Sequence, residues 1–371
     1  MGNFDIADLA LQAVAPGNKL LYDDKGLPSV MVFIPKFKLS DVLTDGPDAY
    51  HPAFIINGQV VDGIWISKYQ NVVENGRAYS LPGKDPASNI TWDTARGYCE
   101  AKGAGWHMMT KAEWGMIALW CKKHGIFPKG NNNYGKDSTE SAYTAIPATY
   151  GTGADAGKIF HVLTGTGPLT WSHDGTMKGI WDLNGNVSEW EGGFRTVYGE
   201  LQFLVNNNGA DKSHSQAANS DQWKALDATT GEFITPNGSG TTTNSVKVIA
   251  ASSKPKYAIT IDRSEGNTEE SENVNSGIQD ITCSADIADA AKYVLRAFGL
   301  LPEAGAVAAD YGDGDRLYFN NVAAERLVVG GGGYNGAAFA GVFCSGGSTS
   351  TRSYSHTNFG FRSAFAELPT A

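Results

Sequence analysis

The sequence predicts an α+β fold of mixed antiparallel sheets with two main helices and a large loop-rich insertion. Three observations carry this reading. Glycine, at 45 of 371 residues, and an aromatic share of 11% suit a loop-rich chain packed on aromatic rings. The first third sets apolar or alternating runs between tight-turn dipeptides, the chemistry of strands and hairpins. Two helix-period segments follow, each behind a recognisable N-cap. The chain is read as one domain, 1–371, with 196–280 inserted in it and 326–366 as a C-terminal segment of unusual composition.

Taken in order, segments 30–39 and 54–69 are strand-like, punctuated by Asn57-Gly58 and Asp62-Gly63. Pro82, Pro86 and Asn89 break the chain before a helix over 92–102, with Thr91 at its N-cap. Thr110-Lys-Ala-Glu113 is a capping box, in which each side chain satisfies a backbone N–H of the other's end. Trp114, Ile117, Ala118 and Cys121 then recur at spacings of three and four, and Gly125 can end that helix. Residues 126–180 read as a Gly/Asn/Thr-rich loop region, and apolar content resumes over 181–190. The stretch 196–280 is rich in Asn, Ser, Thr and Gly, with acids at Glu265, Glu269, Glu270 and Glu272. Strand-like pieces at 201–205, 246–251 and 257–261 mark it as an ordered insertion. A short helix over 285–298 is expected behind Ser284, stopped by Gly299 and Pro302.

Composition excludes several classes. A net charge of −10 argues against a nucleic-acid partner, whose footprint is basic. No apolar run approaches the roughly 18 residues of a membrane span. The first 16 residues carry Asp5 and Asp8 and lack the basic start of a secretory signal. Four cysteines, at 99, 121, 283 and 344, form no C-x-x-C pair and are too scattered for a disulfide scaffold. Asp310, Asp313 and Asp315 read as an Asx-rich turn, since no Glu completes a calcium loop.

The C-terminal segment has an abnormal alphabet. From Arg326 to Ala366 there is no Lys, Glu, Gln, Met or Trp, although the whole chain has 20, 15, 7, 6 and 9 of them. About six would be expected in such a window. Two explanations stand side by side. Long side chains are excluded where glycine-rich strands pack closely; alternatively, these are the five residues that a codon ending in C cannot encode. An AAC codon varied at its adenines reaches fifteen amino acids and omits those five. The segment carries three Arg and no acid, against a −10 total, which sets a non-acidic face on an acidic body.

Four motifs occur in order: Ile90-Thr-Trp-Asp-Thr-Ala-Arg-Gly-Tyr-Cys99, Met109-Thr-Lys-Ala-Glu-Trp114, Leu183-Asn-Gly-Asn-Val-Ser-Glu-Trp190 and Asn358-Phe-Gly-Phe-Arg362. Together they resemble the C-type lectin-like fold of the formylglycine-generating-enzyme type. Within it, Gly331-Gly332, Ala340-Gly-Val-Phe343, Arg352-Ser353 and Gly360-Phe-Arg362 are similar to the variable proteins of diversity-generating retroelements, some of them phage-encoded. In those proteins such landmarks mark a C-terminal variable region made by adenine-directed mutagenesis. Formylglycine-generating enzymes use two nearby cysteines here to hold copper; Cys344 has no companion after Cys283, so that chemistry is not expected.

The resemblance implies a non-catalytic protein that binds a protein or glycan target on a cell surface, from a virion or a bacterial surface. A modifying oxidase and a structural virion or surface subunit are the alternatives. By chemistry, Tyr334, Asn335, Ala338, Phe339, Cys344, Gly346, Ser348, Tyr354 and His356 are candidates for the varied, ligand-facing set, a palette like that of antibody loops. Gly331, Gly332, Phe343, Arg352, Gly360, Phe361 and Arg362 suit a fixed framework, with small residues for close approach and Arg for carboxylates or carbonyls. No cofactor is required. Asp182, Gly185, Val187 and Glu189 match positions where the enzyme relatives hold calcium, and hard oxygen donors on a tight turn suit that ion.

Overall fold

The structure is a computed structural model and describes residues 3–251, 254–263, 274–312, 315–346 and 350–369. Ser348, Asp313 and the acidic cluster at 265–272 lie outside these residues.

Alternating burial makes the first sheet. Val32, Ile34, Ile64, Ile66 and Ala364 face the core, while Phe33, Trp65 and Phe365 line up on the outer face in register. Its strand order is Lys19–Tyr22, Pro28–Pro35, Gly63–Ser67, Ser363–Phe365, Trp106–Met108. The last strand of the chain is therefore an interior strand, which carries the C-terminal motif into the middle of the molecule. A second, twelve-stranded sheet is centred on Ser188–Val197, with Arg326–Gly331 antiparallel on one side and Glu200–Phe203 on the other. Phe359–Phe361 runs parallel to the start of that central strand, pairing Ser188 with Phe359 and Trp190 with Phe361.

The helix Lys111–His124 starts as expected. Glu113 N donates to Thr110 Oγ1 at 3.2 Å, Thr110 N donates to Glu113 Oε2 at 2.9 Å, and Gly125 ends it at φ 65. Trp114 lies across the glycines of Arg326–Gly331 and its indole N–H donates to Val342 O at 2.7 Å. The helix Trp92–Glu100 also forms, but Thr91 makes no side-chain cap bond to the backbone; its hydroxyl donates to Thr94. Trp92, fully buried, donates to Glu191 O at 2.9 Å.

Two expectations are corrected. Asn57-Gly58 does turn a hairpin, between Ile55–Ile56 and Gln59–Val60, but Asp62-Gly63 simply leads into Gly63–Ser67, and the second tight turn is Asn75-Gly76. The third helix is Asp289–Ala297 and starts behind Ala288, whose N–H donates to Ala228 O, so Ser284 lies four residues ahead of the N-cap. A helix at Asn3–Val14 had no sequence expectation. The strand-like pieces expected at 201–205, 246–251 and 257–261 do form strands, Glu200–Phe203, Lys247–Ala251 and Lys254–Thr260, and all three join the large sheet. Among the described residues no helix is long and apolar enough to cross a membrane.

The capping box has a second duty. Glu113 Oε1 lies 2.8 Å from His107 Nε2 and accepts from Asn207 Nδ2 at 2.9 Å, and Asn207 also donates to Ala53 O. Burial alone would lower the His107 pKa, but the Glu113 carboxylate outweighs it and holds the ring above its ordinary value. Glu113→Ala is expected to lower the unfolding free energy by about 3–5 kcal/mol, because it leaves a buried charge unanswered. Urea denaturation of the variant against the parent measures this, with Glu113→Gln expected to lose less.

Candidate functional site

The C-terminal segment is anchored at a buried ion pair. Arg362, fully buried, donates through Nε to Glu189 Oε2 at 2.5 Å and through Nη2 to Glu189 Oε1 at 2.6 Å. Its remaining donors reach Ser67 O at 2.9 Å and Trp181 O at 3.0 Å. Buried guanidinium and carboxylate thus answer each other in the two-pronged geometry that justifies their desolvation. Beside them lies Gln70, carried in directly behind Gly63–Ser67. Its amide nitrogen is 3.1 Å from Asp182 O, 3.2 Å from Gly185 O, 2.9 Å from Val187 O and 3.0 Å from Glu189 Oε1. These are the four residues expected to hold calcium. Their oxygens converge on that amide nitrogen, at N–H···O lengths longer than the 2.3–2.6 Å of Ca–O contacts. Asp182 offers its carbonyl, and its carboxylate turns away to accept from Gly165 N at 3.0 Å. Burial pushes that carboxyl up to about 6.

From this anchor the chain climbs to the surface on bonds supplied by other parts of the molecule. Gly185 N donates to Gly331 O, Tyr334 N to Asn186 O, Tyr134 N to Tyr334 O and Ala337 N to Asn132 O. Asn89 N donates to His356 O, and Ser188 N to Asn358 O. His161 sits with Nδ1 2.9 Å from Asp85 Oδ1 and Nε2 2.8 Å from Thr357 O, both ring nitrogens facing acceptors. Arg352 grips Glu325 with two bonds of 2.8 and 3.0 Å, donates to Gln216 O and lies 4.8 Å over the Trp92 ring. Glycine is required at two points: Gly331, at φ 79, passes under Leu183 O, and a Cβ on Gly360 would meet Ala87 O at 2.6 Å. Phe343 packs edge-on to Tyr311 at 5.0 Å, Phe361 is fully buried, and Gly332 turns at φ 74 against Ala340.

The candidate ligand-facing residues divide. Asn335, Ala338, Phe339 and His356 are exposed, Phe339 by 47%; Tyr354 is half-buried, its ring edge-on to Phe359 at 5.2 Å. Gly346 is half-buried at the end of Gly341–Gly346. Two assignments are corrected. Tyr334 is only 3% exposed, stacked on Phe160 at 4.3 Å with its hydroxyl 3.0 Å from Thr357 Oγ1. It is a post under the surface, not part of its face. Cys344 is 5% exposed, with its thiol donating to Phe339 O and pushed up to about 12 by burial. The supposed positive face is also reduced, since Arg352 and Arg362 are spent on Glu325 and Glu189.

A cleft of about 310 Å³ opens between the 127–139 loop and the 337–342 stretch, lined in part by Asn132, Thr139, Tyr311, Ala338 and Ala340. Asp315 lines it from below, accepting from Phe343 N at 2.7 Å and Gly312 N at 2.9 Å. Further in, Lys111 Nζ lies 3.1 Å from Ser345 Oγ and 3.3 Å from Glu191 Oε2. Burial pushes the carboxyls of Asp315 and Glu191 each up to about 7.

Sequence reasoning misses Gln70, Asn131, Asn132 and His161. Asn131 and Asn132 donate to Asn186 and Asn184, so the Asn184-Gly-Asn turn is locked by amides 52 to 55 residues away. The run Asn131-Asn132-Asn133 inside a loop is the one cue in the sequence; an isolated Gln or His offers none.

The profile of the FGE-sulfatase family, described as the sulfatase-modifying factor enzyme 1-like domain, matches residues 27–243. Among solved structures, that of PvdO from Pseudomonas aeruginosa overlays with a TM-score of 0.37 at 13% identity, covering 94% of this chain and 97% of that one. No curated protein matches the chain.

Two predictions follow from burial. Tyr334→Ala should cost about 3 kcal/mol or more, as large-to-small core changes do, while Asn335→Ala, Ala338→Ser and His356→Ala should each stay within about 0.5 kcal/mol in urea denaturation. The second concerns pH. Between about pH 4 and 7 the folded chain keeps protons on Asp315 and Glu191 that the unfolded chain has released, so stability falls as pH rises through that window. Each group contributes a slope of up to about 1.4 kcal/mol per pH unit. Asp315→Asn should remove its share, read from denaturation series at about pH 5, 6 and 7.

Proposed function

The chain belongs to the FGE-sulfatase family of sulfatase-modifying factor enzyme 1-like domains, and within it we propose a non-catalytic binding protein whose C-terminal surface is interchangeable. The observation that carries this reading is the division of labour in 331–362. The backbone is held by donors and acceptors from outside the segment and by framework side chains, notably Arg352 and Arg362. The exposed side chains of Asn335, Ala338, Phe339 and His356 therefore carry little of the fold and are free to change. Together with half-buried Tyr354 they offer the surface that a protein or glycan on a cell surface would meet, and Ala338 also lines the cleft. Diversification of the coding DNA at adenines accounts for the missing Lys, Glu, Gln, Met and Trp.

The state of Cys344 favours binding over the oxidase alternative. A thiolate reagent needs an electropositive, partly open setting that lowers its pKa. This thiol is buried, raised and already donating to a carbonyl.

Sibling chains provide the test. Substitutions are expected to gather at Asn335, Ala338, Phe339, Tyr354 and His356, with Gly331, Gly360 and Arg362 constant, and a near-copy of the 326–366 coding segment differing at adenines is expected nearby. Invariance at the first set, or copper-dependent oxygen consumption with turnover by the purified chain, would overturn the reading.

A further inference from the structure

We propose that the side-chain amide of Gln70 does the work of a divalent cation at the centre of this fold, and that the chain is locked without a metal there. The argument is geometric. Three backbone carbonyls and one carboxylate oxygen, from residues 182, 185, 187 and 189, point at a single position and lie within 2.9–3.2 Å of one nitrogen. An amide has two N–H protons, so it cannot bond four acceptors with good alignment. Four oxygens sharing one focus is the arrangement that a hard cation draws around itself, with carbonyls and a carboxylate as its usual donors. Here the nitrogen supplies a positive centre in its place. The oxygens have stepped back to hydrogen-bond length, beyond the reach of a Ca–O contact.

The rest of the node fits the same substitution. A cation among these oxygens would have Glu189 as its charged ligand, but both oxygens of Glu189 are taken by Arg362. The guanidinium supplies the charge and the amide supplies the focus. The amide is also fixed against turning over, because its own oxygen accepts from Asn186 Nδ2 at 3.0 Å, and Asn186 Oδ1 in turn accepts from Asn131 and Val162 N. Reversing Gln70 would set oxygen against four oxygens. Gln70 is wholly buried, so water cannot replace it cheaply.

Thermal melts of the parent chain and of Gln70→Ala, each in EDTA and in millimolar calcium chloride, test this. The parent should melt at the same temperature in both, within about 1 °C, and Gln70→Ala should melt at least about 3 °C lower in EDTA. Calcium should return part of that loss, because the alanine leaves the oxygen cage open. A parent Tm that rises with calcium or drops in EDTA overturns the proposal. So does an alanine variant that melts like the parent, or one that calcium leaves unmoved. Should the variant fail to fold, terbium luminescence sensitised by tryptophan decides on the parent alone: a stoichiometric site overturns the proposal and none supports it.

Discussion

The Arg362–Glu189 pair is the constraint on which the rest of the molecule depends. It joins three stretches that are remote in sequence: the strand Gly63–Ser67, the turn that opens Ser188–Val197, and the last strand of the chain. A buried pair of charges is a liability unless every donor and acceptor is answered. Here the guanidinium reaches two carboxylate oxygens and two carbonyls from separate segments, and only one register of Phe359–Phe361 on Ser188–Trp190 allows it. The pair therefore acts on specificity more than on stability. It selects the alignment that threads the C-terminus through the interior of a sheet, and a slip of one residue would bury an unpaired charge.

That alignment decides what the surface can be. With Arg362 fixed below and Arg352 fixed at the side, the stretch between them has both ends tied to the frame. Tyr334 belongs to the same support. Stacked on Phe160, beside His161 and bonded to Thr357, it ties the two lips of the segment together from beneath. With that post buried, exposed side chains such as those of Asn335 and His356 can differ without moving the backbone beneath them.

How much of this was legible depends on the range of the interaction. The helix Lys111–His124 was readable because its cap, its apolar period and its terminal glycine are all local. Asn57-Gly58 was readable for the same reason, as both residues take positive φ in a two-residue turn. The calcium-like set could be picked out by position, yet its occupant could not, because Gln70 lies 119 residues from Glu189 and looks like any other glutamine. In the 196–280 stretch the apolar runs marked its strands, but their place in the large sheet beside Ser188–Val197 rests on pairing that no local pattern records. Tyr334 was misplaced because composition registers a tyrosine and not the direction in which it points.

Burial shows how far close packing reaches into the odd alphabet between 326 and 366. Close packing accounts for part of it. A Cβ on Gly330 would meet Glu191 and Trp114, one on Gly341 would meet Asp315, and one on Gly360 would meet Ala87 and Val187. No long side chain fits at those places. Packing has nothing to say about Asn335, Ala338, Phe339, Ser353, His356 and Thr357, which are exposed and have room for Lys, Glu or Gln, the residues that ordinarily fill such positions. Steric exclusion therefore accounts for the missing residues at the closed positions and not at the open ones.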